Sequence, residues 1–474
     1  AQKKEYFVYI CNLTSFLTYT FMKKIFLLLS SAFLLLMTLL SCDKNKGDEN
    51  DNNDNENNNK ENVYYNVLSD EKLPSLDFVE YYFSNFNGDA SQLAMMKDIL
   101  VNSLNNYTNR LKVELGTQDI KLAYRKVNFS YKSIAADGAP LELSSTVLWR
   151  GYFTNDTVWH DIAPENVCLM EHYTITSDAE CPTQSFPLEL FVTGNNLTIM
   201  PDYIGYGITR DMPHPYLNHD VCAQNSIDAL PAGFQLFEDM SSADMKPNWK
   251  LCVMGASQGG ANALAIHRYM DTHDEFAYKW NFAYSFAAAG PHNPHLTIEK
   301  YLEDGKVAYP VALPFTINSM LVSYPDILGK YDVDALFTDN YLKVKDTVDR
   351  MLLSKNYTTS EINEVFYNNV RTTVDDNLAD DEIYLTDIFS DVMFDKESDF
   401  VNDLYKCLDK NDLTKGWTPT HPIKIFYSRG DRTVPFENSV AVYDAFGSDI
   451  VTVTETPDPI DHFMTCGLWM AKVL

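Results

Sequence analysis

Six short apolar runs punctuate this 474-residue chain. They read NVCLMEHYT (166–174), NLTIMPDYIGYG (196–207), KLCVMGAS (250–257), NFAYSFAAAGP (281–291), PIKIFYSRGD (422–431) and DIVTVTET (449–456). None shows the apolar–polar alternation of a strand with one wet face. Continuous runs of this length suit strands covered on both faces, as in a parallel sheet between helix layers. Helical periodicity fills the intervals, most clearly at 223–239 and 258–270. Strands alternating with helices predict an α/β fold built on a mostly parallel central sheet flanked by helices.

Two segments depart from that rhythm. LAYRKVNFSYKSIAADGAPLELSSTVLW (122–149) alternates on both sides of Asp137-Gly138, the pattern of a β-hairpin around an Asp-Gly turn. A helix is expected before it, around 89–107. After Pro291, about 130 residues turn mainly helical, as in NYLKVKDTVDRMLLSKN (340–356), before PIKIFYSRGD resumes the strand pattern. Residues 291–420 read as an insertion between two parts of one core, 63–290 and 421–474. The alternative is a separate helical domain with no part in the active site.

The amino terminus carries its own message. MKKIFLLLSSAFLLLMTLLSC begins at Met22 with two lysines, runs apolar from Ile25 to Leu40, and ends at Cys42. That is the layout of a secretory signal. LLSC resembles a bacterial lipobox, which implies a lipidated Cys42 as the first residue of an exported, membrane-anchored lipoprotein, periplasmic or at the cell surface. The alternatives are a plain signal peptide or a membrane anchor. Residues 1–21 are expected to lie upstream of the true start. The stretch 43–62 is almost wholly Asn, Asp, Glu and Lys. It cannot bury enough apolar area to offset its ordering entropy, and reads as a tether.

Composition narrows the function. A formal net charge of −29 argues against a nucleic-acid partner held by a basic surface. Beyond Cys11 and Cys42, six of the eight cysteines remain, at 168, 181, 222, 252, 407 and 466. An exported protein can form disulfides, but their connectivity is not readable from spacing. There is no paired C-x-x-C and no H-E-x-x-H, so neither a structural nor a catalytic metal is expected.

The candidate chemistry centres on Ser257. Gly255 and Gly259 flank it in G-x-S-x-G, between the apolar KLCVM and the helix-like GGANALAIHRYM. That is the strand–turn–helix context of a nucleophile elbow. A strained serine backbone needs small neighbours, and the helix start aims N–H groups at the site, Gln258 supplying one oxyanion donor. A serine hydroxyl needs a base. In this fold the order is Ser, acid, His. Among ten histidines, His273, His292, His295, His421 and His462 follow Ser257 at a useful distance. Asp431 closes the strand-like PIKIFYSRGD, and His462 alone follows it. Asp458 and Asp461 are rival acids, but near neighbours seldom reach their own imidazole in the needed geometry. The triad expected is Ser257, Asp431 and His462.

Together VMGASQGG, SRGDRTVPFENS and IDHF resemble the three triad elements of the α/β-hydrolase superfamily. Within it, PDYIGYGITRDMPHPYLNHD (201–220), AAAGPHNP (287–294) and the long helical insertion are similar to the secretory lipase and exported serine esterase branch, over roughly 122–474. The resemblance implies an α/β-hydrolase fold with 291–420 as a helical cap. It implies a carboxylic ester hydrolase acting through an acyl-enzyme, with no cofactor and a small-molecule, lipid-linked or glycan-linked ester as substrate. Relatives commonly have His-Gly-Thr after the third strand; here the segment is His172-Tyr173-Thr174. Thr174 keeps the second oxyanion position, while Tyr173 replaces the glycine and puts the shape of the hole in question. His172, Asp202 and Tyr203 are expected to brace loops. Two other functions share these features: a serine peptidase of the prolyl-oligopeptidase or aminopeptidase kind, and a non-catalytic surface binding lipoprotein.

Overall fold

A computed structural model describes residues 63–473, except 78, 80–89, 187, 188, 190–193, 374 and 376. The proposed signal, Cys11, Cys42 and the tether lie outside the described residues. Each of the six apolar runs holds one strand: β5 (Val167–Glu171), β6 (Leu197–Pro201), β7 (Leu251–Ala256), β8 (Phe282–Ala288), β11 (Ile423–Tyr427) and β12 (Val451–Glu455). They lie in the order β6-β5-β7-β8-β11-β12, parallel throughout.

Packing explains why the runs do not alternate. On β5 and β7, Val167, Leu169, Leu251 and Val253 join the core under α2 (His219–Met240) and α3 (Gln258–Thr272). The intervening Cys168, Met170, Cys252 and Met254 join a second core with α1 (Ala90–Leu115) and α10 (His462–Val473). Every side chain of these two strands except the glycine therefore finds a layer to enter. At about 25 cal/mol per Å² of apolar surface, burying a side chain such as Leu169 or Val253 contributes roughly 1.5–3 kcal/mol. The six cysteines from 168 to 466 are all free and buried, in keeping with small apolar packing.

An antiparallel flank extends the sheet: β1 (Tyr65–Pro74), β2 (Lys121–Ile134), β3 (Pro140–Thr154) and β4 (Val158–Asp161). The Asp-Gly hairpin forms as expected. Gly138 takes φ +81°, and the Asp137 carboxylate accepts the Ala139 N–H at 3.0 Å. β3 then pairs antiparallel with β6 and joins the flank to the parallel part. The helix expected near 89–107 runs on to Leu115.

Residues 291–420 are mainly helical, with α4 (Pro294–Asp304), α5 (Ala312–Ser323), α6 (Asp339–Ser354), α7 (Thr359–Asn369) and α8 (Asp399–Asp409). A two-residue ladder, β9 (Lys306–Val307) with β10 (Ile383–Tyr384), ties its halves together. The segment has a hydrophobic core of its own, which Tyr216 and Leu217 enter from the main body. β8 and β11 pair directly across it, Ser285 opposite Ile423, and α9 (Glu437–Phe446) follows between β11 and β12. No described helix is long and apolar enough to cross a membrane.

Candidate active site

Ser257 stands between β7 and α3 with φ +57° and ψ −125°, a left-handed conformation for a residue with a Cβ. Such a backbone costs on the order of 1–3 kcal/mol and persists only where its surroundings hold it. Two contacts do so. The Ser257 N–H donates to the Ala288 carbonyl at 2.9 Å, and its own carbonyl accepts from Gly260 and Ala261 at 2.9 and 3.2 Å. The flanking glycines are needed for space. A Cβ on Gly255 would stand 2.2 Å from the Gly259 oxygen, and one on Gly259 would stand 2.1 Å from the Glu171 oxygen. The G-x-S-x-G signal thus records a crowded crossing of β5, β7 and α3.

Asp431 follows β11, and its Oδ1 accepts the N–H groups of Thr433 and Val434, both at 2.9 Å. Its Oδ2 lies 2.6 Å from Nδ1 of His462, the first residue of α10. His462 Nε2 lies 2.9 Å from Ser257 Oγ, across 205 residues of sequence. The three expected residues are therefore joined in one hydrogen-bonded line. Burial alone would depress the His462 pKa, but the Asp431 carboxylate, with a lesser part from Cys466, overrides it and holds the imidazole well above its usual range. Neither rival acid makes this contact. Asp461 caps α10 through the Met464 N–H at 2.8 Å, and Asp458 offers its backbone carbonyl to Thr456.

Among the described residues no other histidine bonds to Ser257 or Asp431. His267 forms a line of similar residue types, with Ser285 Oγ at 2.7 Å and Asp271 Oδ2 at 3.0 Å. Its Ser285 and both other side chains are fully buried, so no substrate can reach them. His421 bonds to the same Asp271, His295 to Asp409, and His273 stacks on Tyr269. His292 is buried.

Thr174 and Ser257 line one cavity, with Tyr216 from the main body and Ile298, Tyr301 and Thr316 from the insertion. Thr174 Oγ1 lies 3.2 Å from the Tyr216 hydroxyl, whose ring stacks on Phe315 at 4.5 Å. Tyr173, the departure noted above, turns away from this space. Its N–H donates to Glu189 Oε1 at 3.3 Å, and its ring packs on the cluster of Ile175, Cys181, Tyr203 and Tyr206. Gln258 is fixed by its side chain, which sits 2.7 Å from His214 Nε2. His214 Nδ1–H donates to the Ile204 carbonyl at 2.7 Å, and burial, helped by the Lys355 charge, pushes its pKa down to about 3. The imidazole is thus neutral, and its Nε2 accepts from the Gln258 amide.

The bracing residues stand where expected. His172 is buried, stacks on Tyr203 at 4.0 Å, and is pushed by burial to a pKa of about 4. Asp202 accepts the hydroxyls of Ser144 and Thr183, each at 2.6 Å, and burial raises its pKa to about 6. Tyr203 takes φ +68° and donates its hydroxyl to the His172 carbonyl at 3.2 Å.

Two neighbours escaped sequence reasoning. Glu171, beneath the elbow, is fully buried with Oε2 2.9 Å from Ser226 Oγ, and burial lifts its pKa to about 8. Cys466 sits one turn after His462, its Sγ 3.9 Å from Nε2; the i,i+4 spacing of DHFMTC was the available signal. Among the described residues no group of three or more His, Cys, Asp or Glu side chains is arranged to hold a metal ion.

No protein-family model matches the chain, and no curated protein matches it. Solved structures do. The rice cell wall degrading esterase LipA from Xanthomonas oryzae aligns over 87% of this chain and 96% of its own, at 18% identity and a TM-score of 0.61. A structure from Legionella pneumophila aligns over 87% of this chain and 95% of its own, also at 18% identity and 0.61. With the sheet order above, this likeness establishes the α/β-hydrolase fold.

Proposed function

We propose that this chain is a serine-dependent carboxylic ester hydrolase of the lipase or esterase type. The observation that carries the reading is the line Ser257 Oγ, His462 Nε2, His462 Nδ1, Asp431 Oδ2, with contacts of 2.9 and 2.6 Å, opening on a lined cavity. Ser257 attacks the ester carbonyl while neutral His462 takes its proton. Asp431 holds His462 with its Nε2 lone pair toward the serine and stabilises the imidazolium that forms. The N–H groups of Gln258 and Thr174 receive the developing oxyanion; each such donor contributes roughly 2.7–4 kcal/mol to lowering the barrier. His462 then protonates the leaving alcohol and later activates the water that hydrolyses the acyl-enzyme. Every step uses the chain's own groups.

The cavity wall favours an uncharged acyl group. The Tyr216 hydroxyl is engaged by Thr174, the Tyr301 hydroxyl donates to the Thr433 carbonyl, and Thr297 is held by Asn293 and Asn438. Their polar atoms are satisfied within the protein, so the wall offers mainly apolar surface. The insertion supplies much of that wall and acts in this reading as the cap. That a neighbour of the same fold is an esterase adds support.

The full chain is expected to hydrolyse p-nitrophenyl esters, and Ser257→Ala to abolish turnover; a mutant that still turns over sinks the assignment. Cleavage of aminoacyl anilides in place of esters would favour the peptidase reading. Cys42 is proposed as the lipidated anchor, so Cys42→Ser should move the protein from the membrane fraction to the soluble one. Unchanged attachment refutes the anchor without touching the chemistry.

A further inference from the structure

We propose that His462 Nε2 and Cys466 Sγ form a two-point chelate for a soft divalent cation, zinc or cadmium, and that its occupancy shuts the serine relay off. The two residues are four apart on α10, so their side chains lie on one face of the helix. Their donor atoms are 3.9 Å apart. Zinc bonds of about 2.05 Å to nitrogen and 2.3 Å to sulfur span roughly 3.6 Å at a tetrahedral angle, and 3.9 Å when the angle opens to about 127°. Cadmium, with longer bonds, spans the gap nearer the tetrahedral angle. The imidazole is already oriented as a ligand. Asp431 accepts its Nδ1–H at 2.6 Å, which leaves the lone pair on Nε2 and reproduces the carboxylate–histidine arrangement behind many zinc ions. Ser257 Oγ, 2.9 Å from the same nitrogen, stands on the lone-pair side, so the serine hydroxyl must rotate aside for the cation, and water completes the shell.

Chelation balances when every proton is followed. The Cys466 thiol releases its proton to solvent, and His462, which Asp431 favours in its charged form, releases the one on Nε2; the thiolate and the neutral imidazole then each donate a pair to the cation. The cost falls on Nε2. A nitrogen bound to a metal cannot take the Ser257 proton, so the ion competes with catalysis at the atom catalysis needs. The net charge of −29 further favours accumulation of cations near the surface. The side chain of His462 is 15% exposed while Cys466 is buried at 9%, so an ion from solvent meets His462 first. The ordinary alternative is that Cys466 only fills space at the edge of the core it shares with Trp469 and Met470.

The inhibitory consequence rests on the proposed hydrolase reading, but the chelate itself does not, and the test separates them. Cadmium is titrated into full-length Ser257→Ala, which cannot turn over, and the ultraviolet cadmium–thiolate band is followed. A saturable band at one equivalent is expected. It should vanish in Ser257→Ala/Cys466→Ser, and its midpoint should weaken by about tenfold or more in Ser257→Ala/His462→Gln. In the otherwise unmodified protein, micromolar zinc should inhibit ester hydrolysis reversibly to a chelator. With inhibition read relative to each protein's own metal-free rate, Cys466→Ser should tolerate at least about tenfold more zinc. An equal band with and without Cys466, or equal zinc sensitivity of the two proteins, overturns the chelate. A band without any esterase activity leaves the chelate standing and removes the hydrolase.

Discussion

Asp431→Asn tests the relay more sharply than removing the serine. Thr433 and Val434 both point N–H groups at Oδ1. An asparagine must therefore keep its amide oxygen there and turn its NH₂ toward His462. Facing a donor, Nδ1 gives up its proton, which moves to Nε2. The serine then meets an N–H where it needs a lone pair. The imidazolium that forms in the transition state also loses its anion. For charge centres about 3.5 Å apart at an effective dielectric near 20, that attraction is about 5 kcal/mol. This corresponds to a fall of between about 10³ and 10⁴ in kcat, in line with the ~10⁴ loss for this substitution in a serine protease triad. KM should change little.

The pH profile supplies a second readout. The carboxylate holds His462 well above the usual histidine range, and only the neutral form can accept the serine proton. The acid limb of kcat/KM should therefore lie above ordinary histidine titration, and the enzyme should favour alkaline conditions. In Asp431→Asn burial acts without its counterweight, so the limb moves down. The linkage has the matching sign. The stability from the charged pair is complete below the unfolded histidine pKa of about 6.5, and is lost as pH rises through the raised folded value. The assay is hydrolysis of p-nitrophenyl butyrate from about pH 5 to 10, with melting temperatures in parallel. A mutant that keeps a tenth of its kcat, or leaves the acid limb in place, would falsify the relay.

Two further substitutions probe the ground beneath the elbow. Gly259→Ala drives a methyl to 2.1 Å from the Glu171 carbonyl, so the end of β5 must shift and carry Thr174 with it; destabilisation of about 1–3 kcal/mol or more should accompany a loss of kcat, and a fully active, equally stable protein would refute the crowding. Glu171→Gln mimics the protonated acid. Because burial raises the folded pKa to about 8, the wild type loses stability as pH climbs from the unfolded value near 4.3 to that point, by at most about 5 kcal/mol. The mutant should escape this loss, so its thermal stability gains on the wild type between pH 5 and 8; parallel curves would exclude a protonated Glu171.

What could be read ahead of the fold depended on where the stabilising contacts lie. Strands β5, β6 and β7 were legible because each buries both faces, and burial is written into residue type; β12, which exposes Thr452 and Glu455, was legible only by its β-branched residues. The line Ser257, Asp431, His462 was legible because chain order left a single histidine after the acid. β1 was not. YNVLSDEKLP is largely exposed, and it is a strand because β2 offers it a ladder from Tyr131 to Ala123. Its partner decides its conformation, and its composition does not. The line through Ser285, His267 and Asp271 was equally hidden, since only the sheet brings β8 against α3, and only burial tells it from the accessible one. Cys466 stood in the sequence only as one of six cysteines of unread connectivity; the start of α10 sets it beside the imidazole. Tyr173 looked like an obstacle at the oxyanion loop, and its ring found a pocket of its own.

The pairing of β8 with β11 governs how this molecule comes together in time. Ser285 meets Ile423 only after the chain between them has been gathered up, and closing so long a flexible loop is slow and entropically costly. The intervening helices carry their own core. Collapsing first, they would shorten the effective loop and bring the last two strands to the growing sheet. β12 and α10 can be added only then, and His462 arrives with α10. Ser257, set on its turn 205 residues earlier, waits for its base until the sheet is complete. Regain of activity in a refolding experiment should therefore lag behind the return of helical signal, so that turnover reports the final act of assembly.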